Sequence, residues 1–511
     1  MKNSNFKSQH PNNLHVPGSK FDGTSDRQWC PLEFGFWILF GISTLGFGVC
    51  AQGASLRAGA ALVEITPTNL PIRTAGNLTL TVVSRIHDSL HSRAIVLDDG
   101  TTRLAIAVVD SCMISREDFD SAKAAASRVT GIPVENMMIS STHTHTAPAA
   151  YGCHGNDAEP EYRAYIVPRI AESIVQAWRN LQPARVGWGK SDLPQFVHCR
   201  RWIMQPGTAN SPNPAFTGAT TNLAMMNPGF NNTNKVRQTG PVDPAVTVLS
   251  VQTLDGKPLA LLANYSTHYA SAPSQEISAD YFGEFCRLMA QELKASERNP
   301  GFVALMSNGT SGDANPIDFT KTNWVATPPV VARAVAGAAI EALASITYRD
   351  EAKLFAATRY LKLGVRLPTP AQVAEAREFL AAKVVNRPTR NWEENYARET
   401  TLMADWPATK EITLQALAVG DFIIAAVPCE TFGSTGLAIK KASPFPLAMA
   451  IGLANGYHGY LPPPDQFPLG GYTTWRARTS YLETNAEPKI RAALGELMKS
   501  ARVGSQTPSS R

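Results

Sequence analysis

Met137-Met138-Ile139-Ser140-Ser141-Thr142-His143-Thr144-His145-Thr146-Ala147-Pro148 begins apolar and ends as a polar turn. Met137 to Ile139 predicts a buried strand, and small hydroxylated residues carry it into two histidines one residue apart. Proline has no amide to continue a ladder, so Ala147-Pro148 closes the element. In extended backbone, residues two apart point to the same side, which sends His143 and His145 toward one cavity at the strand end. Neutral imidazole is the commonest protein metal ligand, and zinc is a frequent partner. His-X-His also occurs in ordinary polar loops, so its weight depends on what surrounds it.

Upstream, Arg116 to Val129 reads as a helix stopped by Gly131-Ile132-Pro133. Before it, residues 93–97 and 104–109 are strand-like runs around Asp98-Asp99-Gly100, a hairpin signal. Leu62, Val63 and Ile65 form a first strand closed by Pro67. Residues 1–33 are polar and are expected to be disordered. Residues 34–51, FGFWILFGISTLGFGVCA, are uncharged and apolar. They suit a cleaved export signal ending in small residues or a retained membrane anchor. Either reading places the remainder outside the cytoplasm: periplasmic, extracellular or anchored to the outer side of a membrane.

Downstream, Glu159 to Leu181 is an amphipathic helix. Residues 190–243 are dense in Asn, Pro, Gly and Thr without a period, as in long functional loops. Within them, His198-Cys199-Arg200-Arg201-Trp202 is either a surface basic pair or a substrate-binding arginine. Residues 246–251 and 259–265 are strands, the second running into Ser266-Thr267-His268-Tyr269; Ser278-Ala279-Asp280 caps a helix to about Lys294. A strand from Phe302 opens into the polar loop Asn308-Gly309-Thr310-Ser311-Gly312-Asp313-Ala314-Asn315-Pro316. The loop lacks the G-K-[ST] ending of a P-loop and is no G-x-S-x-G elbow. Helices are expected at 324–346 and 370–385, a strand at 355–363, and two strands around Gly420-Asp421 that end at Pro428-Cys429-Glu430. Met449 to Leu453 leads into Asn455-Gly456-Tyr457-His458-Gly459-Tyr460. Residues 501–511 are expected to be a disordered tail. No internal repeat is visible.

The 511 residues are 44% hydrophobic and 17% charged, enough for a large core. A net charge of +5 without a Lys/Arg block gives no electrostatic case for nucleic acid. The seven cysteines form no C-x-x-C pair, which argues against a cysteine-zinc module. The expected fold is α/β, with layered mixed β-sheets flanked by helices in one large catalytic domain over residues 58–500. Candidate ligands stand at four strand ends: His143/His145, His268, Glu430 and the Tyr457-His458-Tyr460 cluster. Histidines plus a carboxylate are the donor set of a catalytic zinc with an open position.

Several pieces together resemble the N-terminal catalytic domain of neutral/alkaline non-lysosomal ceramidases. They are Ile86-His87-Asp88 with Arg93-Ala94, Thr142-His143-Thr144-His145, Arg200, His268, Gly312-Asp313, Pro428-Cys429-Glu430 and Asn455 through Tyr460. The resemblance implies Zn2+ held by His143, His268, Glu430 and Tyr460. It implies catalytic or substrate-polarising roles for His145, Arg200 and Tyr472, and a lipid or small-molecule N-acyl substrate. The chain departs from the family at Asn315, which stands where the G-D-x-S-P loop carries a serine, and it ends soon after the catalytic domain. Asn315 is expected to donate a hydrogen bond to substrate. The function expected is an exported zinc-dependent amide hydrolase. The alternatives are a zinc esterase or phosphodiesterase, and a non-catalytic exported binding protein on the same fold. Membrane association would run through residues 34–51; nothing in the sequence sets the oligomeric state.

Overall fold

In the computed structural model, which describes residues 55–209, 213–219, 221–271, 275–383 and 391–506, one chain pattern recurs three times. The first copy comprises β1 (Arg57–Glu64), β2 (His91–Asp98), β3 (Arg103–Val109), α1 (Arg116–Thr130), β4 (Met137–Ser141) and α2 (Pro160–Arg179). The second comprises β5 (Gln182–Asp192), β6 (Ala245–Thr253), β7 (Pro258–Tyr265), α3 (Asp280–Glu292), β8 (Val303–Asn308) and α4 (Pro328–Ala344). The third comprises β9 (Leu354–Gly364), β10 (Thr409–Val419), β11 (Phe422–Ala426), α5 (Gly433–Lys441), β12 (Leu447–Ile451) and α6 (Ala486–Gln506). In each copy the first two strand pairs are antiparallel and the last is parallel. A parallel pair needs a crossover, and in each copy a helix supplies it.

The first two copies join edge to edge where Arg57 and Ala58 of β1 meet Pro183 and Gln182 of β5. This gives an eight-stranded sheet of order β8-β7-β6-β5-β1-β2-β3-β4, beside the four-stranded sheet β9-β10-β11-β12. The sheets pack face to face through one core that includes Ile95, Leu249, Leu262, Leu417, Ile424 and Ile451. The alternate residues face helices. Ala94 and Val96 pack with α1 and α2, Val248 and Leu261 with α3 and α4, and Ile423 and Ala425 with α6. The fold is therefore a four-layer α/β architecture, as expected. Burial on both faces explains why the strands read as nearly continuous apolar runs.

The hairpin at Asp98-Asp99-Gly100 and the strand pair around Gly420-Asp421 form as read from sequence. The repeat is one of topology and not of sequence, where none was read. Two expectations are corrected. Residues 190–243 are not one irregular loop: β5 continues to Asp192, and Arg201–Met204 forms a small sheet with Ala224–Met226 and Lys235–Gln238. Residues 501–506 are the end of α6, where Ala501 follows Leu494, Leu497 and Met498 into the core, so an apolar face outlasts the polar composition. The expectations for residues 1–33, 34–51 and 507–511 lie outside the described residues. Among the described residues the cysteines are free, and no helix is long and apolar enough to cross a membrane.

Candidate metal centre

The three crossover strand ends converge. His143 follows β4, His268 follows β7 and Glu430 follows β11. Active sites of layered α/β folds collect at the carboxyl ends of strands. His143 Nε2 lies 3.1 Å from His268 Nε2 and 3.2 Å from Glu430 Oε2, and the last two atoms are 3.9 Å apart. Their relative exposures are 2%, 0% and 5%, so the donors are withdrawn from solvent.

Proton positions decide what these three atoms can do. His143 Nδ1 is 2.8 Å from the Cys112 carbonyl, and His268 Nδ1 is 3.1 Å from the Ser311 carbonyl. A carbonyl only accepts, so each Nδ1 carries its hydrogen and each Nε2 presents a lone pair. Burial, with Arg200 and His143 nearby, holds His268 well below the ordinary imidazole range. Burial pushes the Glu430 carboxyl up, but His143, Arg200 and Tyr460 outweigh it and keep it ionised. Glu430 Oε1 accepts from the Tyr457 hydroxyl at 2.9 Å, while Oε2 is buried without a hydrogen-bond partner. Two lone pairs and an anionic oxygen facing one another repel unless a cation sits among them. Tetrahedral zinc with bonds of about 2.0–2.1 Å has ligand-to-ligand edges of roughly 3.4 Å, inside the observed spread. The donor set fits zinc.

His143 reaches this position by an unusual route. Its φ is 75°, a left-handed conformation that costs a non-glycine residue about 1 kcal/mol or more. The Ser111 carbonyl fixes it by accepting its N–H at 2.8 Å, and Asn308 Nδ2 donates to the preceding Thr142 carbonyl. His143 and His145 converge, with 3.3 Å between their Nε2 atoms. The backbone there is a turn and not the expected strand.

His145 stacks on Tyr269, ring centroids 3.9 Å apart. Burial first, with His143 and Arg200 nearby, holds it well below the ordinary imidazole range, so it is neutral at neutral pH. Arg200, 4% exposed, sets Nη2 3.1 Å from His268 Nε2 and donates to the Gly312 carbonyl at 3.1 Å. Tyr460 pairs in register with Glu430; burial and the Glu430 carboxylate raise the phenol well above its usual range. Tyr472 sets its ring 5.7 Å from that of Tyr460, centroid to centroid, and stacks on Trp392 at the same centroid distance.

Two expected residues have their side chains engaged with other partners. Asn315 pairs with His198 in a two-residue ladder, and its side chain is engaged with Asn227 and the Ile317 amide. His458 turns its Nδ1 to the Tyr481 hydroxyl, away from the donor cluster. Sequence reasoning missed the carbonyls of Cys112 and Ser311, which carry no side-chain signal. It also missed Gly76: a Cβ there would lie 2.5 Å from His145 Nδ1, and its φ is 89°. Tyr457 was legible as part of an aromatic cluster, though not as the donor to Glu430.

Residues 58–321 match the sequence model of the neutral/alkaline non-lysosomal ceramidase family, N-terminal domain, and the chain belongs to that family. Glu430, Tyr460 and Tyr472 lie beyond the matched span. Neutral ceramidase A of Dictyostelium discoideum is 25% identical over 304 residues, 56% of this chain and 39% of that protein. Neutral ceramidase of Oryza sativa subsp. japonica is 26% identical over 189 residues, 33% of this chain and 22% of that protein. The matches thus span less than half the length of these relatives. The crystal structure of neutral ceramidase from Pseudomonas aeruginosa superposes with a TM-score of 0.67 at 17% identity, covering 90% of this chain and 76% of that one. A structure described as ceramidase complexed with C2 gives the same score and identity. At that identity the likeness is one of fold.

Proposed function

We propose that the chain is an exported, zinc-dependent hydrolase of amide bonds in N-acyl substrates of the ceramide type. The observation that carries this reading is the convergence of two imidazole lone pairs with the partnerless carboxylate oxygen of Glu430. Family membership supports that substrate class. Export is supported by the apolar run at residues 34–51.

His143, His268 and Glu430 would hold the ion, with Tyr460 beside Glu430 as the fourth group. Bound zinc supplies a Lewis acid for water and for the substrate carbonyl. The chain's own residues do the rest. Neutral His145 takes a proton at Nε2 from the attacking water and returns it to the departing amine. Arg200 and Tyr472 donate to the carbonyl oxygen as negative charge develops there. The aromatic surface running from Tyr460 through Tyr472 to Trp392 offers apolar contact to a substrate tail.

The test is hydrolysis of a panel of N-acyl, ester and phosphodiester substrates by the zinc-loaded chain. Cleavage of N-acyl substrates, lost in His145→Ala while zinc content stays unchanged, is the expected result. Cleavage confined to esters or phosphodiesters would overturn the amide assignment, and binding of N-acyl lipids without turnover would favour the non-catalytic reading.

A further inference from the structure

Two features of the sequence have no part in the chemistry above: the Asp88 segment and the Ser278-Ala279-Asp280 turn ahead of α3. The structure joins them. Asp88 Oδ2 accepts from the Ser278 hydroxyl and Oδ1 from the Ala279 amide, both at 2.6 Å. The Ser278 carbonyl accepts from the hydroxyls of Thr144, at 2.8 Å, and Thr146, at 2.9 Å. Those threonines flank His145, and Thr144 directly follows His143. On its other side, the same turn reaches the second histidine loop, where Asp280 Oδ1 accepts the Ala270 amide at 2.8 Å, two residues past His268. Thr144, Thr146, Ser278 and Asp280 are each no more than 8% exposed, so water is a poor substitute for these bonds.

We propose that Asp88 and the turn it anchors are positioning residues for the metal centre: one short segment ties both histidine loops and so sets the separation of His143 and His268. The hydroxyls of Thr144 and Thr146 are there to hold the imidazoles. Serine in place of either threonine preserves the bond, and valine keeps the shape without it. The inference deepens the zinc reading and rests on it.

Zinc affinity of the full chain, measured by competition with a chromophoric chelator, tests it without relying on activity. Partners that orient metal ligands typically change affinity about 10–100-fold when removed. Thr144→Val/Thr146→Val and Asp88→Ala are expected to weaken zinc binding within that range, and Thr144→Ser/Thr146→Ser to retain it. Wild-type affinity in the valine variant would overturn the proposal and leave the zinc reading intact. Equal loss in the serine and valine variants would also overturn it, since packing and not the hydroxyl would then matter. A wild-type chain that takes up no zinc would overturn both. If Asp88→Ala does not fold, the threonine pair decides alone.

Discussion

Glu430 shows how little freedom the centre leaves a single side chain. One carboxylate oxygen is committed to Tyr457, and the other faces two imidazole lone pairs. Glu430→Gln replaces an anion with an amide of nearly the same shape. It is expected to lower zinc affinity at least about 100-fold while leaving the fold intact, as read by chelator competition beside circular dichroism. Arg200 acts in the opposite direction. Its Nη2 sits 3.1 Å from the nitrogen that would bind zinc, so guanidinium and metal compete for one lone pair. Arg200→Met is therefore expected to bind zinc several-fold more tightly yet to turn over N-acyl substrate at least about 100-fold more slowly. Gly76→Ala would press a methyl group against His145 and strain a left-handed backbone. Zinc content near wild type with a fall in kcat is the expected signature. His143, His268 and Glu430 stood out in the sequence, because each is a polar residue just past an apolar run, whereas Arg200 was singled out only by the family resemblance. Gly76 and the Cys112 carbonyl were not legible, since the first works by lacking atoms and the second through the backbone.

Helices and strands were legible where one residue face is apolar and caps are present. Helix α1 has Ser115 accepting the Asp118 amide at its start and Gly131 at its end, and its bounds differ by one residue from those read off the sequence. Strand β5 was missed at its core because Gly187 and Gly189 interrupt the apolar pattern. Those glycines are a packing device: a Cβ on Gly187 would lie 2.2 Å from the Ile346 side chain just beyond α4. The helix at Trp392–Leu402 was also missed, for its polar residues Glu394, Asn395 and Glu399 are buried instead of exposed. One element carries a titratable lock. Lys123 of α1 is 4% exposed and donates to Asn455 Oδ1 at 2.7 Å; Asn455 in turn accepts the Ile139 amide of β4. Burial holds its ammonium down to about 8 from 10.5. Between those values the unfolded chain binds more protons than the folded one. Stability should therefore rise with pH from about 8 toward 10.5, and the cost of the buried charge is present in full below that window. Denaturant unfolding of wild type minus Lys123→Met across pH 7 to 11 should show this rise. A flat difference would contradict it.

Across the whole molecule, each of the three topological copies contributes one residue to the candidate centre: His143 from the first, His268 from the second and Glu430 from the third. Sequence did not reveal the repeat, because a strand buried on both faces accepts almost any branched or apolar residue, and topology survives when identity is gone. The insertions between the first two strands of each copy differ in length and content, which hides the period further. A metal held by all three copies links their stabilities. Zinc at a thousand times its dissociation constant should raise unfolding stability by about 4 kcal/mol. It should do so in one cooperative transition, and the gain should vanish in Glu430→Gln. Elemental analysis of the purified chain reaches the central claim most directly, with a His143→Ala/His268→Ala variant that retains wild-type circular dichroism beside it. The account calls for about one zinc per wild-type chain and none in the variant. No zinc in either protein after reconstitution, or equal zinc in both, would contradict it.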